Sequence, residues 1–282
     1  MIIPTSKIAT HIIQSVTKAK ETRQLSTILV GESSRLKKKV EEQQLIAKQT
    51  NTQFNLIHLN KKPLRYEDLI ITLKQEVNKP EVTAITIQQP LPAAMQSETL
   101  FNFIPLQKEI ESHRQKSPYL PPMGLAVLHL LKYCDSKEIS PLNLSVPAST
   151  IPYISKTYKN KKIVLLGRDM MDAQSIGKTL TAMKLNYIHL FYGTAKSAIT
   201  NFTKEADVVI IASDKIAIEP EMIKEGAIII NTVPIKNADQ PDLLKQISDI
   251  AHCSTKLDST ITTLKDAYLF YNLHLAAQHN AQ

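Results

Sequence analysis

Glycine is scarce in this chain: six residues in 282, where the usual ~7% would give about twenty. Glycine lets a backbone approach a phosphate closely or take a positive φ without steric cost. A chain so poor in it has few places to build a nucleotide cradle from bare main chain. Cysteine is rarer still, at two residues. Cys134 and Cys253 lie far apart in sequence, form no metal-ligand pair and are expected to be free thiols in a reducing compartment. No window offers ~18 uninterrupted apolar residues, which argues against a transmembrane helix. The opening MIIPTSKIATHIIQSV lacks the small-residue cleavage site of a secretory signal. Also missing are a Walker loop, a G-x-S-x-G elbow, an H-E-x-x-H helix and the His/Cys metal spacings, so no metal is expected.

What is present describes an ordinary globular chain, with 43% hydrophobic and 21% charged residues. Its length allows two domains, each with a core. The formal charge is +8, but the lysines are spread out apart from one cluster, Lys37, Lys38 and Lys39. No zinc-finger spacing, RNP-like motif or basic tail accompanies them, so nucleic acid is not the expected partner. A solvated basic surface that attracts an anionic ligand explains the charge. The expectation is a cytoplasmic protein with neither a nucleic-acid nor a membrane partner.

Apolar periodicity alternates along the chain. SKIATHIIQSVTKAK has helical spacing, and LSTILVG reads as a strand ending at Gly31. Ser34 to Gln49 suits a helix, FNLIHL a second strand and YEDLIITLKQEV another amphipathic helix. TAITIQQPLP gives a third strand, stopped by Pro90 and Pro92. Residues 105–160 are less regular and richer in proline, with one helix over Gly124–Cys134 and SPLNLSVPAST read as loop. From Lys161 the alternation resumes: strand 163–166, a helix to Lys184, YIHLFY, a helix, DVVIIAS, a short helix, AIIINTV. TTLKDAYLFYNLHLAAQ closes the chain as an amphipathic helix. Strands separated by helices predict an α/β fold with parallel sheets, the second half Rossmann-like with its ligand at the carboxyl ends of the strands.

Three features carry possible chemistry. Gly167 and Arg168 end a buried-looking strand, where helix N–H groups and a guanidinium would receive an anion. Asp169 opposes that unless it caps the helix, and a purely structural turn is the equal alternative. In IQQPLP, Gln88 and Gln89 point to opposite faces, and an amide at a strand end can read a heterocycle's edge; two ordinary edge-strand glutamines are the bland alternative. In KEIES, Glu109 and Glu111 share a face if the segment is extended, as a carboxylate pair for an amidine-like ring edge or as solvated loop acids.

Taken in order, these pieces resemble the bifunctional methylenetetrahydrofolate dehydrogenase/methenyltetrahydrofolate cyclohydrolase family. STILVGESSRLKKKVEEQQ is similar to its V-G, S-x-x-Y-V-x-x-K segment, AITIQQPLP to V-Q-L-P-L-P and IPLQKEIES to I-P-x-x-K-D-V-D-G. KKIVLLGRDMMDAQS is similar to V-V-V-G-R-S-x-x-V-G-x-P, and ADVVIIASDKIAIEPEMIKEGAIIINTV to the A-D-I through D-V-G segment. The resemblance implies two α/β domains around a cleft, residues 1–120 plus 263–282 as the folate-type catalytic domain and 121–262 as the Rossmann-like dinucleotide-binding domain. It also implies a folate-type small-molecule ligand, NAD or NADP as cofactor, and a homodimer.

Carried over residue by residue, the pattern places Lys39 at the family's pterin-stacking Tyr and Gln43 at its catalytic Lys. A neutral amide supplies neither an ammonium nor a general base, so cyclohydrolase chemistry is expected to be weak or absent. Gln88 and Pro90 fall on the family's folate-recognition Gln and the proline after it. Glu111 falls on the second Asp of D-V-D-G, with Ser112 at the following glycine. P-C-T-P falls on VPAST at 146–150 or on YLPPMG. On the cofactor side the expected contacts are Gly167, Arg168, Asp169, Thr194 and Thr232, and a carboxylate at 169 favours NAD over NADP. The glycine-rich P-G-G-V-G-P-M-T loop corresponds to CSTKLDSTIT, which ends at Thr262, a substrate-side position, and contains no glycine. Two functions remain open: a divergent dehydrogenase, or a non-catalytic relative acting in binding, regulation or interaction.

Overall fold

The computed structural model describes residues 1–19, 21–97, 99–142, 152–167, 172–191 and 193–280. Two compact units divide the chain, one of Met1–His11 with Met123–Lys265 and the other of Ile12–Pro122 with Asp266–Gln282. All named strand pairs are parallel. Parallel neighbours need a long crossover between them, and the alternating helices supply it.

In the 12–122 unit, β1 (Gln24–Val30) is the central strand of three, flanked by β2 (Gln53–Leu59) and β3 (Ala84–Ile87). The chain enters through α1 (Thr5–Thr17), and α2 (Ser34–Gln49) and α3 (Tyr66–Val77) connect the strands. The central strand and β3 are buried almost throughout, whereas β2 is partly exposed, as an edge strand should be. Ile28, Val30, Leu69, Leu73, Ile85 and Ile87 belong to the core. The strand expected in TAITIQQPLP ends at Ile87, ahead of Pro90 and Pro92, and the 3-10 turns at Ala93–Met95 and Leu100–Phe103 follow the prolines.

In the 123–265 unit five strands run in the order β5 (Tyr187–Leu190), β4 (Ile163–Gly167), β6 (Val208–Ala212), β7 (Ile228–Asn231), β8 (Cys253–Ser254). Between them come α6 (Asp172–Ala182), α7 (Lys196–Thr203), a 3-10 turn at Pro220–Met222 and α8 (Pro241–Ile250). Ahead of the sheet lie α4 (Pro122–Ser136) and α5 (Pro152–Tyr158), and α9 (Thr262–Asn280) closes the chain. β4 and β7 have no exposed residue, matching their unbroken apolar runs. From β4 the chain goes to β5 on one side, and β6, its other neighbour, leads on to β7. That reversal between β4 and β6 is where an open α/β sheet takes its ligand.

Cys134 and Cys253 are free and buried. Contact with Cys253, together with burial, pushes the Cys134 thiol up. Among the described residues no helix is long and apolar enough to cross a membrane.

Candidate active site

α2 buries Leu36, Val40, Gln43, Ile46 and Ala47, a stripe at three- and four-residue spacing. Gln43 is therefore turned inward by the same periodicity that buries its apolar neighbours, while Lys39 is only half-buried. Gln88 follows β3, with its backbone N–H donating to the Ile28 carbonyl at 2.9 Å. Its side chain is 3% exposed. The Gln88 Nε2 donates to Gln43 Oε1 at 2.9 Å, and Gln43 Nε2 donates to Asp266 Oδ1 at 3.1 Å. Asp266, near the start of α9, is 1% exposed. The result is a buried chain of amide, amide and carboxylate, ending at Gln88 Oε1, which has no hydrogen-bond partner among the described residues.

α9 holds a second point of this unit. Asn272 Nδ2 donates to the carbonyls of Ile110 and Leu120, each at 2.9 Å. Ile110 precedes Glu111, so the helix that supplies Asp266 also fixes the turn carrying Glu111. Glu109 does not pair with Glu111 as a second carboxylate facing a ligand. It is buried, and its Oε1 accepts from the Glu111 N–H and from His113 Nδ1, both at 3.1 Å. The structure thus gives Glu109 the work of shaping the turn and leaves Glu111 half-buried. Pro90 is exposed.

Ser112 sits in that turn at φ 63°, the left-handed region that costs a side-chain-bearing residue roughly 1–2 kcal/mol. This is the backbone shape that glycine favours, at the position where the resemblance places the family's glycine. Ser112→Gly is expected to raise unfolding stability by about 1 kcal/mol, read from the midpoint of urea denaturation. A lowered midpoint would mean that the serine side chain holds the turn more than it strains it.

In the 123–265 unit Gly167 ends β4. A Cβ there would lie 2.9 Å from Ala173 Cβ and 3.1 Å from Ala212 Cβ. This glycine is required where β4 packs against α6 and β6, which accounts for it without any phosphate. Arg168, Asp169 and the VPAST segment lie outside the described residues. The Thr194 hydroxyl accepts from the Phe191 N–H at 3.2 Å and so closes its own turn.

Thr232, just past β7, is 1% exposed, and its hydroxyl lacks a partner among the described residues. Beside it the fully buried Asn231 donates to the carbonyls of Val233 at 3.1 Å and Ser259 at 3.0 Å. The Thr255 hydroxyl hydrogen-bonds Asn231 Oδ1. The backbone adds Thr255 N–H to the Ile229 carbonyl at 3.0 Å and Ile261 N–H to the Thr232 carbonyl at 3.3 Å. Residues 253–262, expected as a glycine-free stand-in for a ligand loop, are stitched to the end of β7 by side chains. Thr262 is half-buried, and its hydroxyl donates to Thr260 Oγ1 at 3.1 Å.

A surface hollow of about 370 Å³ opens beside Phe101, Leu106, His113, Arg114 and Lys116. None of the residues predicted from sequence lines it. Among the described residues no group of three or more His, Cys, Asp or Glu is arranged to hold a metal.

Of the positions expected to act together, the structure joins Gln43 and Gln88 directly. It adds Asp266, which sequence reasoning passed over. The signal was present: Asp266 is in helical register with Phe270, Leu273 and Ala277, all buried, so its place on α9 faces inward.

Comparisons with known proteins agree with the resemblance. Residues 4–111 match the family described as tetrahydrofolate dehydrogenase/cyclohydrolase, catalytic domain. The bifunctional protein FolD of Mycoplasmopsis synoviae is 24% identical over 240 residues, which cover 85% of this chain and 81% of that protein. The fold is similar to that of the Trypanosoma brucei methylenetetrahydrofolate dehydrogenase-cyclohydrolase, solved with NADP and an inhibitor, at TM-score 0.80, 17% identity and coverage of 100% and 98%. It is similar also to the NAD-dependent methylenetetrahydrofolate dehydrogenase of Saccharomyces cerevisiae, at TM-score 0.64, 15% identity and coverage of 98% and 95%. The chain resembles the bifunctional methylenetetrahydrofolate dehydrogenase/cyclohydrolase family in sequence and shares its two-domain α/β fold.

Proposed function

We propose that this chain binds a folate-type one-carbon ligand in the 12–122 unit and oxidises methylenetetrahydrofolate without hydrolysing the methenyl product. One observation carries the reading: Gln43 and Gln88, 45 residues apart in sequence, are joined by a buried hydrogen bond of 2.9 Å. The hydrogen bond supports the reading by bringing together the two positions that the resemblance assigns to chemistry. Hydrolysis of a methenyl bridge needs a group that moves a proton to or from water. Position 43 offers an amide, which hydrogen-bonds but does not titrate. Hydride transfer depends mainly on holding the donor carbon against the acceptor ring, so it does not require an ammonium at that place.

When bound, a nicotinamide dinucleotide supplies the hydride acceptor. A group that would hold it in the 123–265 unit is the Thr232 hydroxyl, buried at the carboxyl end of a strand without a partner among the described residues; where the resemblance puts Asp169, a carboxylate would disfavour a 2′-phosphate by its charge. The family resemblance also supports a homodimer, which analytical ultracentrifugation would read as a doubled mass.

A second reading, a binding protein without turnover, draws on the Asn231–Thr255 lock, which fills with side chains a segment that was bare main chain in the resemblance. Assays of NAD- and NADP-linked methylenetetrahydrofolate oxidation, with methenyltetrahydrofolate hydrolysis followed separately, divide the two. The expected result is NAD-linked oxidation with hydrolysis near the uncatalysed rate. A thermal shift with folate but no turnover supports the second reading, and neither turnover nor thermal shift sinks both.

A further inference from the structure

We infer that Asp266 is a positioning residue that sets the polarity of the buried amide chain, so that Gln88 presents a hydrogen-bond acceptor and the site selects a ligand that offers it an N–H or O–H donor. The inference rests on the folate-site reading above and specifies what that site accepts.

An ionised carboxylate only accepts hydrogen bonds. Facing Asp266 Oδ1 at 3.1 Å, Gln43 must therefore present its NH₂ group. Its carbonyl oxygen is then left to face Gln88, which must answer with its own NH₂, at 2.9 Å. That leaves Gln88 Oε1 at the open end of the chain, buried and without a partner among the described residues. A buried acceptor left unpaired costs roughly 1–3 kcal/mol, and a donor on the ligand removes that cost. A ligand bringing another acceptor to the same point meets repulsion. Each amide's orientation is fixed by the one before it, so a single carboxylate decides what the far end offers.

A lysine at position 43 would reverse this order. An ammonium only donates: it would bond Asp266 and also require the carbonyl oxygen of Gln88, turning the Gln88 NH₂ outward. The substitution thus changes the hydrogen-bonding sense of the site as well as its charge.

The test uses the full chain and tetrahydrofolate, a probe with N–H donors on its reduced ring. Asp266→Asn preserves shape but allows either orientation, and it is expected to weaken binding about 10-fold while the fold is kept. Gln43→Lys is expected to weaken it at least as much. A purely space-filling Asp266 would leave the Asp266→Asn affinity unchanged, which would overturn the inference. The second measurement needs no ligand: the side-chain NH₂ protons of Gln88, followed by NMR, should exchange slowly with solvent and lose that protection in Gln43→Lys. Exchange in the unsubstituted protein as fast as that of a solvated glutamine would also overturn it. If the unsubstituted chain binds no tetrahydrofolate, the folate reading fails, while the Gln88 exchange still decides the polarity.

Discussion

Replacing Gln88 by alanine is expected to lower kcat/KM for methylenetetrahydrofolate oxidation roughly 100-fold and to abolish the thermal shift produced by tetrahydrofolate. The side chain is 3% exposed and its outer oxygen ends the buried chain without a partner among the described residues, so a ligand loses its partner when that oxygen is removed. The variant also strands Gln43 Oε1, a buried acceptor, at a cost of about 1–3 kcal/mol in stability. The two effects separate experimentally. Gln43→Leu with Gln88 intact should destabilise comparably but bind more tightly than Gln88→Ala, because the contacting oxygen survives. Unchanged kcat/KM in Gln88→Ala would remove this residue from the site.

Acidification should weaken the fold through His129. The ring lies on α4, fully buried, and burial is the main cause that lowers its pKa from 6.5 to about 4. Positive charge from Lys132 and His11 acts in the same direction, while a backbone hydrogen bond involving Glu138 and that residue's charge oppose it. In the unfolded chain the imidazole takes up its proton at higher pH than in the folded one. The stabilisation is therefore complete above pH 6.5 and is lost as the pH falls towards 4. The difference corresponds to about 3 kcal/mol. Urea unfolding at pH 7 and at pH 4 should show this loss in the parent chain. In His129→Leu the drop should be smaller by that amount. An equal drop in both would assign the acid sensitivity to other groups.

Much of this fold was legible because apolar periodicity is strong where parallel strands are buried. The helix read over 34–49 is α2 to the residue, and YEDLIITLKQEV is α3. What escaped was bound up with proline. Proline predicts a break after the strand in TAITIQQPLP, and β3 does end ahead of Pro90. Yet α4, α5 and α8 begin at Pro122, Pro152 and Pro241, the first helical position, where the missing N–H has no intrahelical partner to lose. The sequence reading has no counterpart of α5 or α8. The site divides in a similar way. Motif order points to Gln43 and Gln88, which the structure joins by a hydrogen bond, and to Gly167, where β4 packs closely against Ala173 and Ala212. Asp266 shares a helix face with apolar residues, but nothing in a linear sequence ties position 266 to position 43.

That separation also governs how the protein must assemble. The Gln43–Asp266 bond closes a loop of 223 residues and the Asn272–Ile110 bond one of 162. Contacts so distant along the chain form late, since loop entropy is lost before they contribute. The three-stranded sheet is expected to form before α9 returns to pair with Gln43. Kinetic traps in this molecule should therefore be species with both sheets formed and the final helix undocked.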